Sequence, residues 1–486
     1  MRLHKTMLQL SKIIRSRDDW KRKAVQRANE IRELRKTKKR YQEKIAELKV
    51  QIKTMEQAAE DEKKITPQVA ANVVDITQAQ QVRALCIMLV LQAVVSYRSV
   101  PRILNLFNTR TPLALGWIPH FTSVINWTLR LGLGMLKQVN PISKPWVAII
   151  DHSIDIGTKK ALVVLRVTID ALSLHSKAIQ LKDCECISVK VCEKINGKSI
   201  SMELEEIFTH AGTPDAIIKD CDSTLQKGVR LWSEKQDVTI PVIEDIGHVM
   251  ANALKAQFEK TTTYKRFTSL ISKGANRLRQ TELVFLIPPK LRSKGRFLRH
   301  RKLGKWGDKM LNVLAVKGRA KKGCLLAKLR AALPGFALLK PFIKRFANTT
   351  KVVSQVMEIL KNKGLDQTSY EQCCQLSEEL PKNSKVKKRL LIWLQQHIKI
   401  QKQITSLPLL VSSDIIESLF GNFKHIIERS PQADMNRTTL LIPALCGNLD
   451  EITITQALSK ANHNELKNWE QENIPYTMRK KRQAFF

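Results

Sequence analysis

Trp146-Val147-Ala148-Ile149-Ile150-Asp151 is the stretch on which the reading of this chain turns: an unbroken apolar run that ends in a carboxylate. A short run of this kind reads as a strand. A second one, Ala216-Ile217-Ile218-Lys219, follows Asp215 and ends in Asp220. Far downstream, Ser412-Ser413-Asp414-Ile415-Ile416-Glu417-Ser418-Leu419-Phe420-Gly421 reads as the start of a helix carrying Glu417.

Working outward from Trp146, residues 144–260 alternate strand and helix patterns. Asp155-Ile156-Gly157 is a hairpin turn signal, and Ala161 to Val167 is a second strand. Cys186 to Val191 reads as a third strand, Met202 to Thr209 as a helix closed near Gly212, and Ala216 to Lys219 as a fourth strand. Asp237 to Ile243 reads as a fifth strand, and a long helix is expected from Ile246. Three neighbouring strands, a helix, then two more strands with helices between is the order of an RNase H-like fold, a mixed five-stranded core. In that order strands one and four are neighbours, so Asp151 and Asp220 face one crevice.

Composition bounds the partner. The 486 residues suffice for more than one domain, at roughly 100–200 residues each. Lys and Arg number 83 against 44 Asp and Glu, a formal net charge of +39, so a polyanion is expected: nucleic acid or an acidic membrane. The membrane alternative fails, because the most apolar stretch, Ala84 to Val95, is interrupted by Gln92 and is shorter than the ~20 residues a spanning helix needs. No apolar signal core follows the charged N-terminus. The nine cysteines are irregularly spaced and include no pair of Cys-x-x-Cys elements, which points to reduced thiols and away from a zinc site.

The flanks divide the chain further. Residues 1–62 form a basic helix in which Ile31, Leu34, Tyr41, Ile45, Leu48, Ile52 and Met55 share a heptad frame, predicting a coiled coil or a lone amphipathic helix. Residues 63–143 are helical. Val82–Tyr97 and Val100–Phe107 are followed by a helix from Phe121 whose first turns offer Thr122, Ser123, Asn126 and Arg130, an arrangement that reads as a helix-turn-helix module or a plain helical linker. Residues 261–405 read as an all-helical, basic insertion: from Thr261 to Lys305 the one acidic residue is Glu282. Arg292, Lys294, Arg296, Arg299 and Arg301 are its candidate DNA contacts. Residues 406–435 return to the core with the Glu417 helix, and 436–486 hold further helices and a basic tail.

The chemistry these residues permit is metal-assisted phosphoryl transfer. Two divalent ions about 4 Å apart can activate a nucleophile and stabilise the leaving oxygen of a phosphodiester. Magnesium takes oxygen ligands and keeps several waters, so Asp151, Asp220 and Glu417 suffice for two Mg2+ ions, with Mn2+ as a substitute. Asp222 competes with Asp220 for the second position, but Asp220 directly follows the apolar run.

The matching pieces, Val147-Ala148-Ile149-Ile150-Asp151, then Ile217-Ile218-Lys219-Asp220 with Leu225 to Gly228, then Glu417 to Lys424, resemble the DDE transposases of the retroviral-integrase superfamily. The resemblance covers roughly residues 80–430 by domain order and is strongest to bacterial insertion-sequence transposases whose core is split by a helical insertion. It implies a DNA transposase that binds transposon ends and target DNA, works as a homodimer or larger homo-oligomer, and acts in the bacterial cytoplasm at the nucleoid. Many such enzymes carry a Cys/Asp-x-x-His motif after strand five, which Asp245-Ile246-Gly247-His248 fits, so the resemblance implies that His248 lies near the scissile phosphate. It also implies that the insertion stacks a flipped base on an aromatic side chain, for which Trp306 is the candidate. One departure is Cys221-Asp222-Ser223, where a small or Gly-rich turn is usual. A non-catalytic DNA-binding relic and an RNase H-like nuclease are the alternatives.

Overall fold

The structure is a computed structural model that describes residues 77–112, 115–152, 160–174, 178–192, 195–290, 296–315, 318–427 and 436–474, with isolated positions at 20, 42, 477, 482, 483 and 485. The coiled coil expected over 1–62 therefore lies outside the described residues apart from Trp20 and Gln42, as do Arg292, Lys294 and residues 479–481 of the basic tail. The chain divides into two compact units, Met1–Asp75 and Ile76–Phe486, and the second contains the sheet and the candidate site.

Three helices open this unit: α1 (Gln78–Leu91), α2 (Ser99–Arg110) and α3 (Phe121–Lys137). Thr77 and Gln80 form a reciprocal cap that starts α1. The helix expected to run to Tyr97 stops at Leu91, and Val94 takes a positive φ of 53° in the turn that follows. The sheet comes next: β1 (Trp146–Asp151), β2 (Lys160–Thr168), β3 (Glu185–Cys192), helix α4 (Gly197–Ala211), β4 (Ala216–Lys219), helix α5 (Ser223–Gln236) and β5 (Val242–Glu244). Its order is β3-β2-β1-β4-β5, with β1–β2 and β2–β3 antiparallel and β1–β4 and β4–β5 parallel. Strands one and four are thus neighbours, as expected. The fifth strand is shorter and later than the sequence suggests: Asp237 takes a left-handed φ of 53° to close α5, and pairing begins only at Val242.

Alternation sorts the strand residues between two cores, because successive side chains point to opposite faces. Trp146, Ala148, Ile150 and Ile217 pack beneath α4 and α5 with Leu204, Phe208 and Trp232. Val147, Ile149, Ala216 and Ile218 face the other way, into a larger core shared by the remaining helices. By the same parity Asp151 and Asp220 belong to this second face.

The chain continues through α6 (Ile246–Leu254) and the helical region predicted between the fifth strand and Glu417: α7 (Thr262–Leu278), α8 (Arg296–Leu314), α9 (Leu325–Ala332), α10 (Lys340–Lys363), α11 (Gln367–Ser377) and α12 (Lys385–Ile404). Apart from one isolated bridge, Leu365 to Leu409, the described residues of this region add no β pairing. Its interior is aromatic: Phe258, Tyr264, Phe267, Phe342 and Phe346 meet at ring separations of 5.0 to 6.4 Å. Then α13 (Asp414–Ile427) returns to the sheet, followed by α14 (Glu451–Lys460) and α15 (His463–Asn473), which pack back on α3.

The C-terminal segment packs closely on α3, the helix that the helix-turn-helix expectation singles out. Val124, Trp127, Thr128, Leu129, Leu131 and Leu133 are buried, and Gly132 and Gly134 press on backbone. A Cβ on Gly132 would stand 1.7 Å from the Leu440 carbonyl oxygen, and one on Gly134 would stand 1.9 Å from that of Ala457. The apolar face of α3 is therefore a core element, while Thr122 is exposed and Ser123 and Asn126 are half-buried in its first turns. Arg130 turns inward, donating from Nε to the Ala461 carbonyl at 2.7 Å and from an amino group to the Leu458 carbonyl at 2.9 Å, which caps the end of α14. Asn126 faces His463, and Thr122 bonds to His120 Nδ1 at 2.8 Å, while Ser123 starts the helix beside them.

All nine cysteines are free thiols. Burial pushes Cys86 and Cys184 up to about 12, so both are protonated and unreactive at neutral pH. Among the described residues no helix is long and apolar enough to cross a membrane.

Candidate active site

Three neighbouring parallel strands each carry an aspartate at or just after their carboxyl end. Asp151 closes β1, Asp220 follows β4, and Asp245 follows β5. The register pairs Ile150 with Lys219 and Lys219 with Glu244, so these acids sit side by side at the carboxyl ends of the strands, where open α/β sheets place their sites. Asp151 is 6% exposed. Burial and then the adjacent Asp220 push its carboxyl up to about 6, against the opposing pull of the His152 backbone N–H, which donates to Oδ1 at 2.6 Å.

Asp222 has other work. Its Oδ1 accepts from the N–H groups of Thr224 at 2.7 Å and Leu225 at 3.2 Å, capping α5, and faces His152 Nε2 at 3.2 Å. Asp220 accepts the Asp222 N–H at 2.9 Å and turns its charge toward Asp151 and His248. The extra acid after strand four is thus an N-cap.

Asp245 is buried completely and bridges two helices. Its Oδ1 accepts from the His248 N–H at 2.7 Å, which caps α6, and its Oδ2 accepts from the Ser413 backbone N–H and from the Ser413 hydroxyl at 2.9 Å, one residue before α13. This brace fixes the start of α13 against the start of α6. His248 and Glu417 then meet, with Nε2 3.5 Å from Oε1. Pairing with Glu417 holds the His248 ring up to about 9 although burial works against it, and the same pairing holds the Glu417 carboxyl below its ordinary range. At neutral pH His248 is therefore a cation. Gly247 permits the close approach: a Cβ there would meet Asp245 Oδ1 at 3.0 Å, Met357 Cε at 3.4 Å and Asp414 Oδ1 at 3.7 Å.

Asp151, Asp220, His248 and Glu417 thus stand within electrostatic reach in a continuous series. Among the described residues, no three His, Cys, Asp or Glu side chains are drawn together closely enough to hold a metal ion as they stand, and Glu417 engages His248. The donor set itself fits a hard cation: all-oxygen carboxylates, two of them at rigid strand ends, with Asp151 held up by burial and by Asp220 beside it.

The sequence reading missed Ser413, His152, Asp414 and Lys361. Ser413 had a visible signal, since a serine before an apolar periodic run marks a helix start. Lys361 had none: it comes from α10, and its ammonium pairs with Asp414 Oδ2 beside Glu417. Trp306 is half-buried: its Nε1 donates to the Leu286 carbonyl at 3.0 Å and its ring meets Phe336 edge-on at 5.7 Å, so it packs two segments together. Arg301 is exposed on α8; Arg296 and Arg299 lie on the same helix, and their side chains lie outside the described ones.

No protein-family model matches the sequence, and no curated protein matches it in sequence. The chain is distantly similar to a solved Drosophila P element transposase strand transfer complex, at 10% identity and a TM-score of 0.38, with 85% of this chain and 100% of that chain covered.

Proposed function

We propose that this chain is a DDE-type DNA transposase that cuts at the ends of a mobile element and joins the freed 3′-hydroxyl to target DNA. The observation that carries this reading is the pair Asp151 and Asp220 at adjacent parallel strand ends, where burial and then the neighbouring charge hold the Asp151 carboxyl up at about 6, in a chain of net charge +39. An anionic cleft on a polycation suits a site where a cation and a phosphodiester meet.

Asp151, Asp220 and Glu417 would hold Mg2+, the aspartates from the sheet and Glu417 from the first turn of α13. When bound, such ions activate the attacking water or hydroxyl and neutralise charge on the leaving oxygen. His248, cationic at neutral pH, donates to a phosphate oxygen and does not serve as a general base. Asp245 and Ser413 keep the two helix starts in register while DNA is engaged. Exposed Arg301, Lys302, Lys305 and Lys309 along α8 grip the flanking duplex by its phosphates.

The test is an assay of the purified full-length protein with Mg2+ or Mn2+ on supercoiled plasmid carrying the sequences that flank its gene. Expected products are nicked strands and strand-joined species, both lost in Asp151→Asn and Glu417→Gln proteins that still bind DNA. Cleavage that survives either substitution overturns the reading. Nicking that never yields joined strands would reduce it to an RNase H-like nuclease.

A further inference from the structure

We infer that Lys361 is a phosphate-binding residue of this site, delivered by the helical region and held against Asp414 until DNA takes its place; this rests on the transposase reading above. Lys361 lies in the last turn of α10, one turn beyond buried Met357 and directly after buried Leu360, so its backbone position is fixed by the core. Its ammonium pairs with Asp414 and lies within electrostatic range of Glu417 and Asp245. The side chains are 29% and 41% exposed, so the pair opens onto solvent.

The energetics favour exchange of partners. A half-exposed ion pair is worth at most about 1 kcal/mol, because water screens it and two side chains lose freedom to make it. Asp414 keeps good surroundings when Lys361 leaves, since it begins α13, where the helix dipole favours a carboxylate. Lys361 gains by leaving: burial pulls its ammonium below the ordinary lysine value, and a phosphodiester would supply a negative charge and release counterions. Two cations, His248 from α6 and Lys361 from α10, then flank Glu417 from different helices. His248 touches Glu417 itself, whereas Lys361 is parked one turn away on Asp414, which suits it to meet the strand entering the cleft.

The test compares Lys361→Met, Lys361→Arg and Asp414→Asn in the full-length protein, using a fluorescein-labelled random-sequence duplex in Ca2+. Apparent Kd is measured against salt, with thermal midpoints alongside. For Lys361→Met the slope of log Kd against log salt falls by about one, and binding at low salt weakens roughly three- to tenfold. Lys361→Arg restores the slope. Asp414→Asn keeps the full slope and binds as tightly as the parent or tighter, because the cation is released. A brace would behave otherwise: Lys361→Met and Asp414→Asn would lower the midpoint alike and leave the slope untouched, and that result overturns the inference. Failure of the parent protein to bind DNA with any salt dependence would instead count against the transposase reading, and the inference falls with it.

Discussion

Asp151 and Asp245 occupy equivalent places in the sheet and do opposite things. Both end or follow a parallel strand, and both are buried. Asp245 receives backbone N–H groups from two helix starts and a serine hydroxyl, so its charge is fully used in holding α6 to α13. Asp151 instead faces Asp220, and its burial and then that neighbouring charge push its carboxyl up. The donors around a buried carboxylate decide whether its charge is spent on the fold or left for another partner.

The largest expected difference between the two regions is in activity. On the proposed reading, Asp151→Asn or Glu417→Gln should lower strand cleavage by roughly a thousandfold or more, since each would remove a metal ligand and with it charge stabilisation of the transition state. Gel assays on plasmid check this, with DNA binding as the control.

Stability should move the other way round. Asp245→Ala leaves the His248 N–H, the Ser413 N–H and the Ser413 hydroxyl without their acceptor, and should cost about 3–5 kcal/mol in urea unfolding. If Asp245→Ala is as stable as the parent, the brace is not what positions α13 and the contrast fails.

Asp151→Asn should stabilise the metal-free protein by about 2–3 kcal/mol at pH 8. The sign follows from a carboxyl whose folded value, about 6, lies above its ordinary 3.8. The favourable contribution of the protonated form is complete below the lower value and is lost as pH rises through the higher one. Asparagine cannot ionise, so its advantage should vanish below about pH 4 and reach a plateau above about pH 6. Urea titrations at the two extremes measure it. The smallest effect is a rise in thermal midpoint of a few degrees for the parent protein in millimolar Mg2+, absent in Asp151→Asn, because an ion that binds only the folded state stabilises it.

How much of this was legible depended on how local the cause was. The strand-ending aspartates were readable because a run such as Val147 to Ile150 is committed to a sheet interior by its own side chains, and a carboxylate after it stands out. The fifth strand was misjudged, since apolar residues after Asp237 belong to the turn that closes α5. The partner of helix α3 was not legible, because an amphipathic helix with Thr122, Ser123, Asn126 and Arg130 at its start looks the same whether DNA or protein covers it. The tight pair Gly132 and Gly134 carried the better signal, close backbone packing. Trp306 stood beside basic residues in sequence and beside Phe336 in space.

The sequence by itself therefore determined a polycation built around a mixed sheet, with acids at the ends of its first and fourth strands, because charge and apolar periodicity are properties of residues and their near neighbours. Only the tertiary structure decided that Asp245 is spent on Ser413, that Asp222 caps a helix, that His248 is held cationic by Glu417, and that Lys361 stands at the cleft. Those roles depend on which donor or charge lies within a few ångströms, and chain folding sets that distance independently of separation along the sequence.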